Sequence, residues 1–365
     1  MGRARRGGGC ALVFLILVGA AGFGVWYKFL RREAPNLPPA SGDELRVHVL
    51  DVGQGDSVLV IAPGGKTALV DAGNPGNGKK ILAALQREGV AQIDLLVATH
   101  AHADHIGAAD EVIKGITVSN VLDSGVPNTT KNYEDFLKAI KDRGVTLIEA
   151  TPNQTFDLGN GAILTVLGPT EPLFTKDQLR SGGNEPNANS VVLRLDYGEF
   201  SMLLTGDAEA QTEQRLIERD SRLDADVLKV GHHGSKYATS ENLLRRGEFK
   251  AAVISCGPDN RYGHPSPEVL ARLKAAGLKL FRTDLQGEIK ITTRGKDGDE
   301  QITAERKAEE DVWAGREAQK DDSSRSGFIQ YGDFGPAPKN RNSNANNSTA
   351  RNSNARNSNA KAGGR

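Results

Sequence analysis

The stretch Thr99–Ala108, THAHADHIGA, packs three histidines and an aspartate into six positions of a 365-residue chain that has seven histidines in all. The residues before it, IDLLVA from Ile93 to Ala98, predict a strand that ends in the cluster. Alternate side chains of an extended segment share a face, so His100 and His102 are expected to point the same way. Asp104 and His105 then enter from the loop or first helical turn. Such an arrangement can hold two metal ions, one on His100 and His102, the other on Asp104 and His105. Imidazole and carboxylate without thiolate suit zinc, manganese or iron, so ligand type alone leaves the metal open.

Outward from this stretch, short apolar runs alternate with amphipathic ones between Leu45 and Ile291, as in layered α/β architecture. LRVHVLDV, SVLVIAP and TALVDAG read as strands, and the turn-rich links GQGD and GGK between them suit antiparallel neighbours. A helix is expected over 79–88, where Ile81, Leu82 and Leu85 share a face, then over YEDFLKAIKDRG and near 209–219 and 266–276. The later strands are NVLDSG, VTLIEA, AILTVLG, SVVLRLDYGEFSMLLTGD, DVLKVGHHGS, AAVISCG and LKLFRTD. Two facing sheets flanked by helices follow, with the strand order left open by periodicity.

His100, Ala101, His102, Ala103, Asp104 and His105 spell HxHxDH, and with this motif the sequence resembles the metallo-β-lactamase superfamily. The resemblance implies an αββα sandwich over residues 44–293. It also implies a carboxylate between two metals at Asp207, which ends SMLLTGD, and a later histidine ligand at His232, which follows a strand and Gly231. His233 stands next to it, as an alternative ligand or a residue supporting the ligands. HVLDVGQGDSVLV, NANSVVLRLDYGEFSMLLTGDAE, LKVGHHGSKYATS, YGHPSPEVL and FRTDLQGEI are similar to the ComEC branch, the hydrolase-like domain of the competence DNA-uptake protein. There is no histidine between His105 and His232, where most superfamily members carry one before the bridging aspartate. Asn187 or Asn189 lies in that interval and could offer an amide oxygen, or NANS could simply turn the chain. An oxygen donor there would favour manganese over zinc.

Two metals a few ångströms apart lower the pKa of a shared water and stabilise both oxygens of an in-line phosphoryl displacement. Asp104 would position that water, and Ser235, Lys236 and the HHGS backbone would offset the phosphodiester charge. His264, in the turn YGHPSP, is placed to donate a proton to the leaving group or to hold that turn. Asp56, with Asp51 and Gln54 in DVGQGDS, lies where carboxylates orient ligating histidines. His48, inside a strand, is assigned no chemistry.

The ends differ from this core. Arg3, Arg5 and Arg6 in the basic flank 1–9 precede an apolar run over 10–27, long enough to span most of a ~30 Å hydrocarbon layer. It reads as an uncleaved anchor joined by a linker, 28–43, to an exported domain at the cell membrane. Gly19, Ala20, Ala21 and Gly22 also suit a peptidase, which would give a secreted product instead. One apolar run cannot form a DNA channel, and Cys256, the single cysteine after it, cannot close an intramolecular disulfide. The segment 294–333 reads as a charged, partly helical, exposed connector. From Phe334 the chain lacks acidic residues and repeats RNSNA at 341, 351 and 356, a basic, disordered tail in a chain of zero formal charge. The expected function is a metal-dependent phosphodiesterase or nuclease with a nucleic-acid partner. A cell-wall phosphodiester, lactone or β-lactam hydrolase is one alternative, and a weakly catalytic DNA-uptake accessory is another.

Overall fold

Side chains alternate along the strands, and the alternation divides the core into layers. Val47, Val49, Val58, Val60, Leu95 and Val97 meet Leu193, Leu195, Met202 and Leu204 in one cluster between two sheets. Their neighbours Leu59, Ile61, Leu69 and Leu96 face the opposite way, onto Ile81, Leu85, Val112 and Phe136 of the helices Gly78–Arg87, Ala109–Gly115 and Lys131–Arg143. On the far side, Val192, Leu203, Leu228 and Ile254 pack under Leu216, Leu243, Val269 and Leu273 of Ala210–Glu218, Glu241–Gly247 and Pro267–Ala275. The result is the expected αββα sandwich.

This arrangement comes from a computed structural model that describes residues 42–179 and 184–316. The strands are β1 (Leu45–Val49), β2 (Val58–Ile61), β3 (Thr67–Val70), β4 (Gln92–Ala98), β5 (Thr117–Asp123), β6 (Thr146–Glu149), β7 (Thr155–Gly159), β8 (Ala162–Gly168), β9 (Val192–Tyr197), β10 (Phe200–Leu204), β11 (Val227–Lys229), β12 (Ala251–Ile254), β13 (Lys279–Arg282), β14 (Ile289–Thr293) and β15 (Gln301–Ala304). One sheet runs β15-β14-β1-β2-β3-β4-β5-β6 and the other β13-β12-β11-β10-β9-β8-β7. β1, β2 and β3 are antiparallel, as their tight links require. β3, β4 and β5 are parallel, and so are β10, β11 and β12. The carboxyl ends of both parallel sets converge on one edge of the sandwich, where loops from α/β sheets place ligand-binding residues.

Residues 294–316 depart from the expected connector. Gln301–Ala304 pairs antiparallel with β14, and Ile302 and Ala304 pack against the inter-sheet core. Beyond it, Val312 and Trp313 lie on the other core cluster, and Arg316 donates two hydrogen bonds to the buried Asp284 carboxylate at 3.0 and 2.8 Å. The buried Arg282 guanidinium holds the same carboxylate and donates to the carbonyls of Val312 and Ala314 at 2.9 and 2.6 Å. Charged composition suggested solvent exposure, but a four-residue alternation and one ion network are enough to fasten this segment down. The flank 1–9, the apolar run 10–27, nearly all of the linker 28–43, the rest of the connector and the tail 334–365 lie outside the described residues. Among the described residues no helix is long and apolar enough to cross a membrane.

Candidate metal centre

The HxHxDH loop leaves β4 at Ala98 and is caught at once by a buried acid. Asp71, directly after β3, accepts from the Thr99 N–H and the Thr99 hydroxyl, both at 2.8 Å. His102 then stands in extended backbone at the start of the short helix Ala103–Ile106, which carries Asp104 and His105 inward. Gly55 allows this loop to seat, since a Cβ there would lie 2.4 Å from the Asp104 carbonyl oxygen. The next residue, Asp56, donates its N–H to that carbonyl at 3.1 Å.

Three groups of donors result; Asp56, Asp71 and His105 form one of them, and the other two share Asp207. Of these two, His100, His102 and Asp207 form the first, Asp104, His105, Asp207 and His233 the second, each with its ligand atoms within 4.8 Å of one another. Asp207 Oδ2 is 3.7 Å from His100 Nε2, and Asp207 Oδ1 is 3.2 Å from His105 Nε2 and 3.6 Å from His233 Nε2. Asp104 Oδ2 lies 3.3 Å from His233 Nε2. Asp207 Oδ1 is buried and accepts no hydrogen bond, while imidazole nitrogens face it. A buried carboxylate oxygen that accepts no hydrogen bond is open to a cation, and the mixed imidazole and carboxylate set fits a divalent metal.

The sequence favours His232 as the later ligand with His233 as its alternative, and of the two it is the His233 ring that the structure buries among the other donors. Both adopt left-handed backbone, at φ 46° and 53°, inside the turn Gly231–Gly234. This turn carries the His233 ring inward among Asp104, His105 and Asp207. His232 is more exposed, with Nε2 at 3.6 Å from Asp207 Oδ2 and Nδ1 at 3.1 Å from Glu209 Oε1.

Acids behind the histidines fix their rings. His105 Nδ1 is 2.7 Å from Asp71 Oδ2. His233 Nδ1 is 3.0 Å from the Ser255 carbonyl and 3.2 Å from Asp56 Oδ1, and Asp56 Oδ2 is paired at 2.9 Å with the buried Lys229. Asp56, from the loop DVGQGDS, thus stands between His233 and Lys229. Asp71, Lys229 and Glu209 were not anticipated, although TALVDAG shows a sign of the first, a carboxylate closing an apolar run, and DVLKVG a sign of the second, a cation inside one.

Burial alone would lower every imidazole here. It takes His100 well below the ordinary value, and His102 below it against the pull of Asp104 and Asp207. At His105 the charges of Asp207 and Asp71 outweigh burial and raise it well above that value, and at His233 Asp207 and Asp56 raise it to about 10. Burial opposes ionisation of Asp207, yet His105, His232 and His233 hold it well below the usual carboxylate range. One half of the centre therefore presents neutral imidazoles, and the other holds protons that a bound metal replaces.

The remaining residues named from sequence fall into place around this. Asn189 is a clasp: its Oδ1 accepts the Phe174 N–H at 2.8 Å and its Nδ2 donates to the carbonyls of Phe174 and Glu185 at 2.9 and 3.0 Å. Asn187 is the amide nearer the centre, with Nδ2 at 3.5 Å from His232 Nε2 and a buried Oδ1 that lacks a partner. Asn184 Nδ2 lies 3.0 Å from His102 Nε2. Ser235 Oγ accepts the Tyr237 N–H at 3.3 Å, and Lys236 lies over the Tyr237 ring. The His264 ring centroid is 5.4 Å from that of His232, and burial together with His232 and His233 lowers its pKa to about 3. His48 lies away from these residues, buried in β1 with Nδ1 at 2.7 Å from Glu288. Gln54 Oε1 accepts the Gly257 N–H at 3.2 Å, and Asp51 Oδ1 accepts that of Gly53 at 3.2 Å, so both serve their turns.

Comparison with known proteins agrees with this construction. Residues 50–257 match the family model of the metallo-beta-lactamase superfamily. The chain is 33% identical over 278 residues to ComE operon protein 3 of Bacillus subtilis (strain 168), covering 71% of this chain and 34% of that protein. It is 32% identical over 251 residues to Recombination protein 2 of Haemophilus influenzae, with 67% and 28% covered. Against Competence protein ComA of Neisseria gonorrhoeae it is 30% identical over 286 residues, with 77% and 37% covered. The chain thus spans about a third of the length of these curated relatives. The family model takes in the sandwich from β2 to β12 together with both donor sets that meet at its edge, and the chain belongs to the metallo-beta-lactamase superfamily, as a hydrolase-fold homologue of competence proteins.

Proposed function

We propose that the chain is an exported, metal-dependent phosphodiesterase acting on nucleic acid, tethered to the membrane by residues 10–27. The observation that carries this reading is the position of Asp207, buried between two sets of imidazole donors with one oxygen facing each. That geometry supports a pair of divalent ions, the first held by His100, His102 and Asp207, the second by Asp104, His105, Asp207 and His233. Asn187, with its unpartnered oxygen, is the amide suited to stand in for the absent histidine, which favours manganese over zinc. Such a pair of ions makes water a nucleophile at neutral pH and offsets the charge of an in-line phosphoryl displacement.

The protein's own groups do the rest. Asp104, partly exposed at the mouth of the centre, orients the attacking water and accepts its hydrogen bond. His264, neutral at physiological pH, offers its N–H to the leaving oxygen, a hydrogen bond in place of the full proton that its sequence position suggested. Ser235 keeps its hydroxyl proton free to donate, and Lys236 supplies positive charge at the rim. The names of the competence-protein relatives add support for DNA as the polymer, and the basic residues of 334–365 suit the same partner.

The test is hydrolysis of labelled single- and double-stranded DNA by the full chain, stripped of metal and reloaded with manganese or zinc. Cleavage that depends on the metal and disappears in Asp104→Ala and Asp207→Ala is expected. A fully loaded protein that cleaves neither strand form overturns the reading and directs attention to other esters.

A further inference from the structure

After the GHHG turn the chain runs through Lys236–Ser240, and two charged side chains from separate helices hold the backbone there. Glu213, 1% exposed on the helix Ala210–Glu218, accepts the Thr239 N–H with one carboxylate oxygen at 2.5 Å and the Ser240 N–H with the other at 2.8 Å. Burial raises its pKa, and these bonds and the Arg272 charge act against the rise. Arg272, half-buried on the helix Pro267–Ala275, donates to the carbonyls of Thr239, Lys236 and Ala238 at 3.0, 3.1 and 2.9 Å. None of the candidate metal ligands stands on either helix. Thr239 links the two charges to the site. It is β-branched yet left-handed, at φ 56°, a conformation that such a residue keeps only where its surroundings impose it. So placed, its Oγ1 accepts the Gly231 N–H at 3.2 Å, directly before His232 and His233. Ala238 closes on the same glycine, where a Cβ would lie 3.2 Å from the alanine's own.

Resting on the two-ion reading of the centre, we propose that Glu213 and Arg272 are positioning residues for the ion at Asp104, His105, Asp207 and His233. By fixing Lys236–Ser240 they fix Thr239, and Thr239 in turn fixes the turn that aims His233 at Asp207. The two side chains suit this task chemically. Both carboxylate oxygens of Glu213 act as acceptors, so the isosteric Gln, with one oxygen and one NH2, satisfies one of the two N–H groups and sets a donor against the other. The planar guanidinium of Arg272 spans three carbonyls, which the compact ammonium of Lys does not. Loss of either contact set loosens the backbone beneath Gly231 while every ligand side chain stays in place.

The experiment titrates the metal-stripped full chain with manganese, and separately with zinc, in competition with a chelating dye, for wild type, Glu213→Gln, Arg272→Lys and Phe136→Leu. Phe136→Leu trims the core beneath the other sheet and controls for lost stability alone. Glu213→Gln and Arg272→Lys are each expected to weaken one of the two ions about tenfold, the lower end of the range for a group that supports a ligand, and to leave the other unchanged. Phe136→Leu should leave both ions as in wild type. In the metal-free chain, the amides of Gly231, His232 and Ser235 should exchange hydrogen about tenfold faster in Glu213→Gln and Arg272→Lys than in Phe136→Leu. Wild-type affinity for both ions in Glu213→Gln and Arg272→Lys, or an equal loss in Phe136→Leu, overturns the positioning role. If the wild type binds fewer than two ions, the two-ion reading falls, and the exchange comparison still decides whether the pair holds the turn, equal rates showing that it does not.

Discussion

Replacing Lys229 by Met removes a charge from the deepest part of the support for His233 while keeping an unbranched stem of similar length. Lys229 is 1% exposed, and its Nζ donates to Asp56 Oδ2 at 2.9 Å and to the Val230 carbonyl at 3.0 Å. Asp56 is itself buried, yet Lys229 and His233 hold it well below the usual carboxylate range. Deleting one member of such a pair strands the other charge, and that costs about 3–5 kcal/mol. With a urea slope of about 2–3 kcal/mol/M for a domain of this size, the midpoint should fall by about 1–2 M. Unfolding of the metal-free full chain, followed by circular dichroism, is the assay. Asp56→Asn added to Lys229→Met removes the stranded charge, so the double variant should be more stable than Lys229→Met alone, with a coupling of about 2 kcal/mol. A single variant that loses less than about 1 kcal/mol, together with a double variant that recovers nothing, would refute the argument that this pair anchors the ring.

Three further outcomes are expected. His233→Ala should abolish one of two bound metal ions, counted by elemental analysis after dialysis, whereas His232→Ala should leave both; loss of an ion only in His232→Ala would reverse the assignment. Asp71→Asn keeps an acceptor for Thr99 but weakens the hold on His105, so metal affinity should fall about 10–100-fold with the fold intact, as seen by competition with a chelating dye. Burial raises the Asp123 carboxyl from the ordinary 3.8 to about 6, so the folded state binds its proton more tightly than the unfolded chain does. Stability from this group is therefore fullest below about pH 4 and is lost as pH rises to about 6, an amount of about 3 kcal/mol. Asp123→Asn should match wild type at the acid end and exceed it above pH 7 in urea midpoints, and equal midpoints at both ends would sink the idea.

Much of the sandwich is legible because strand parity is a local property. Leu59 and Ile61 against Val58 and Val60 already separate helix-facing from sheet-facing residues, and GQGD and GGK fix β1 to β3 as antiparallel neighbours. The HxHxDH loop is legible for the same reason, since four of its six residues are metal-type donors. What pairs across the sandwich is not. Asp71 meets His105 across 34 positions and Asn189 meets Phe174 across 15, and no local pattern states which distant group will complete a carboxylate or an amide. β15 escaped notice because four residues of mixed polarity carry little periodicity, and their strand character comes from the free edge that β14 offers.

The GHHG turn shows the same limit at the site itself. Continuing the alternation of β11 would leave the facing of the two histidines to a parity count, but two successive left-handed residues break the count. For non-glycine residues such a conformation costs about 1–2 kcal/mol each, so it persists only where the surroundings over-determine it. They do: His232 donates its N–H to Gly206 at 3.1 Å, Gly231 donates to Thr239 Oγ1 at 3.2 Å, Ser235 donates to His232 at 2.8 Å and Ser266 donates to Gly234 at 2.9 Å. Gly234 closes against Pro265, where a Cβ would stand 2.7 Å from the proline ring. Four hydrogen bonds and a glycine contact are thus committed to holding two histidines in a conformation their own backbones disfavour. The effect of that conformation is to aim the two rings at opposite ends of one carboxylate, His232 toward Asp207 Oδ2 and His233 toward Oδ1, which a regular strand or helix could not do with adjacent residues.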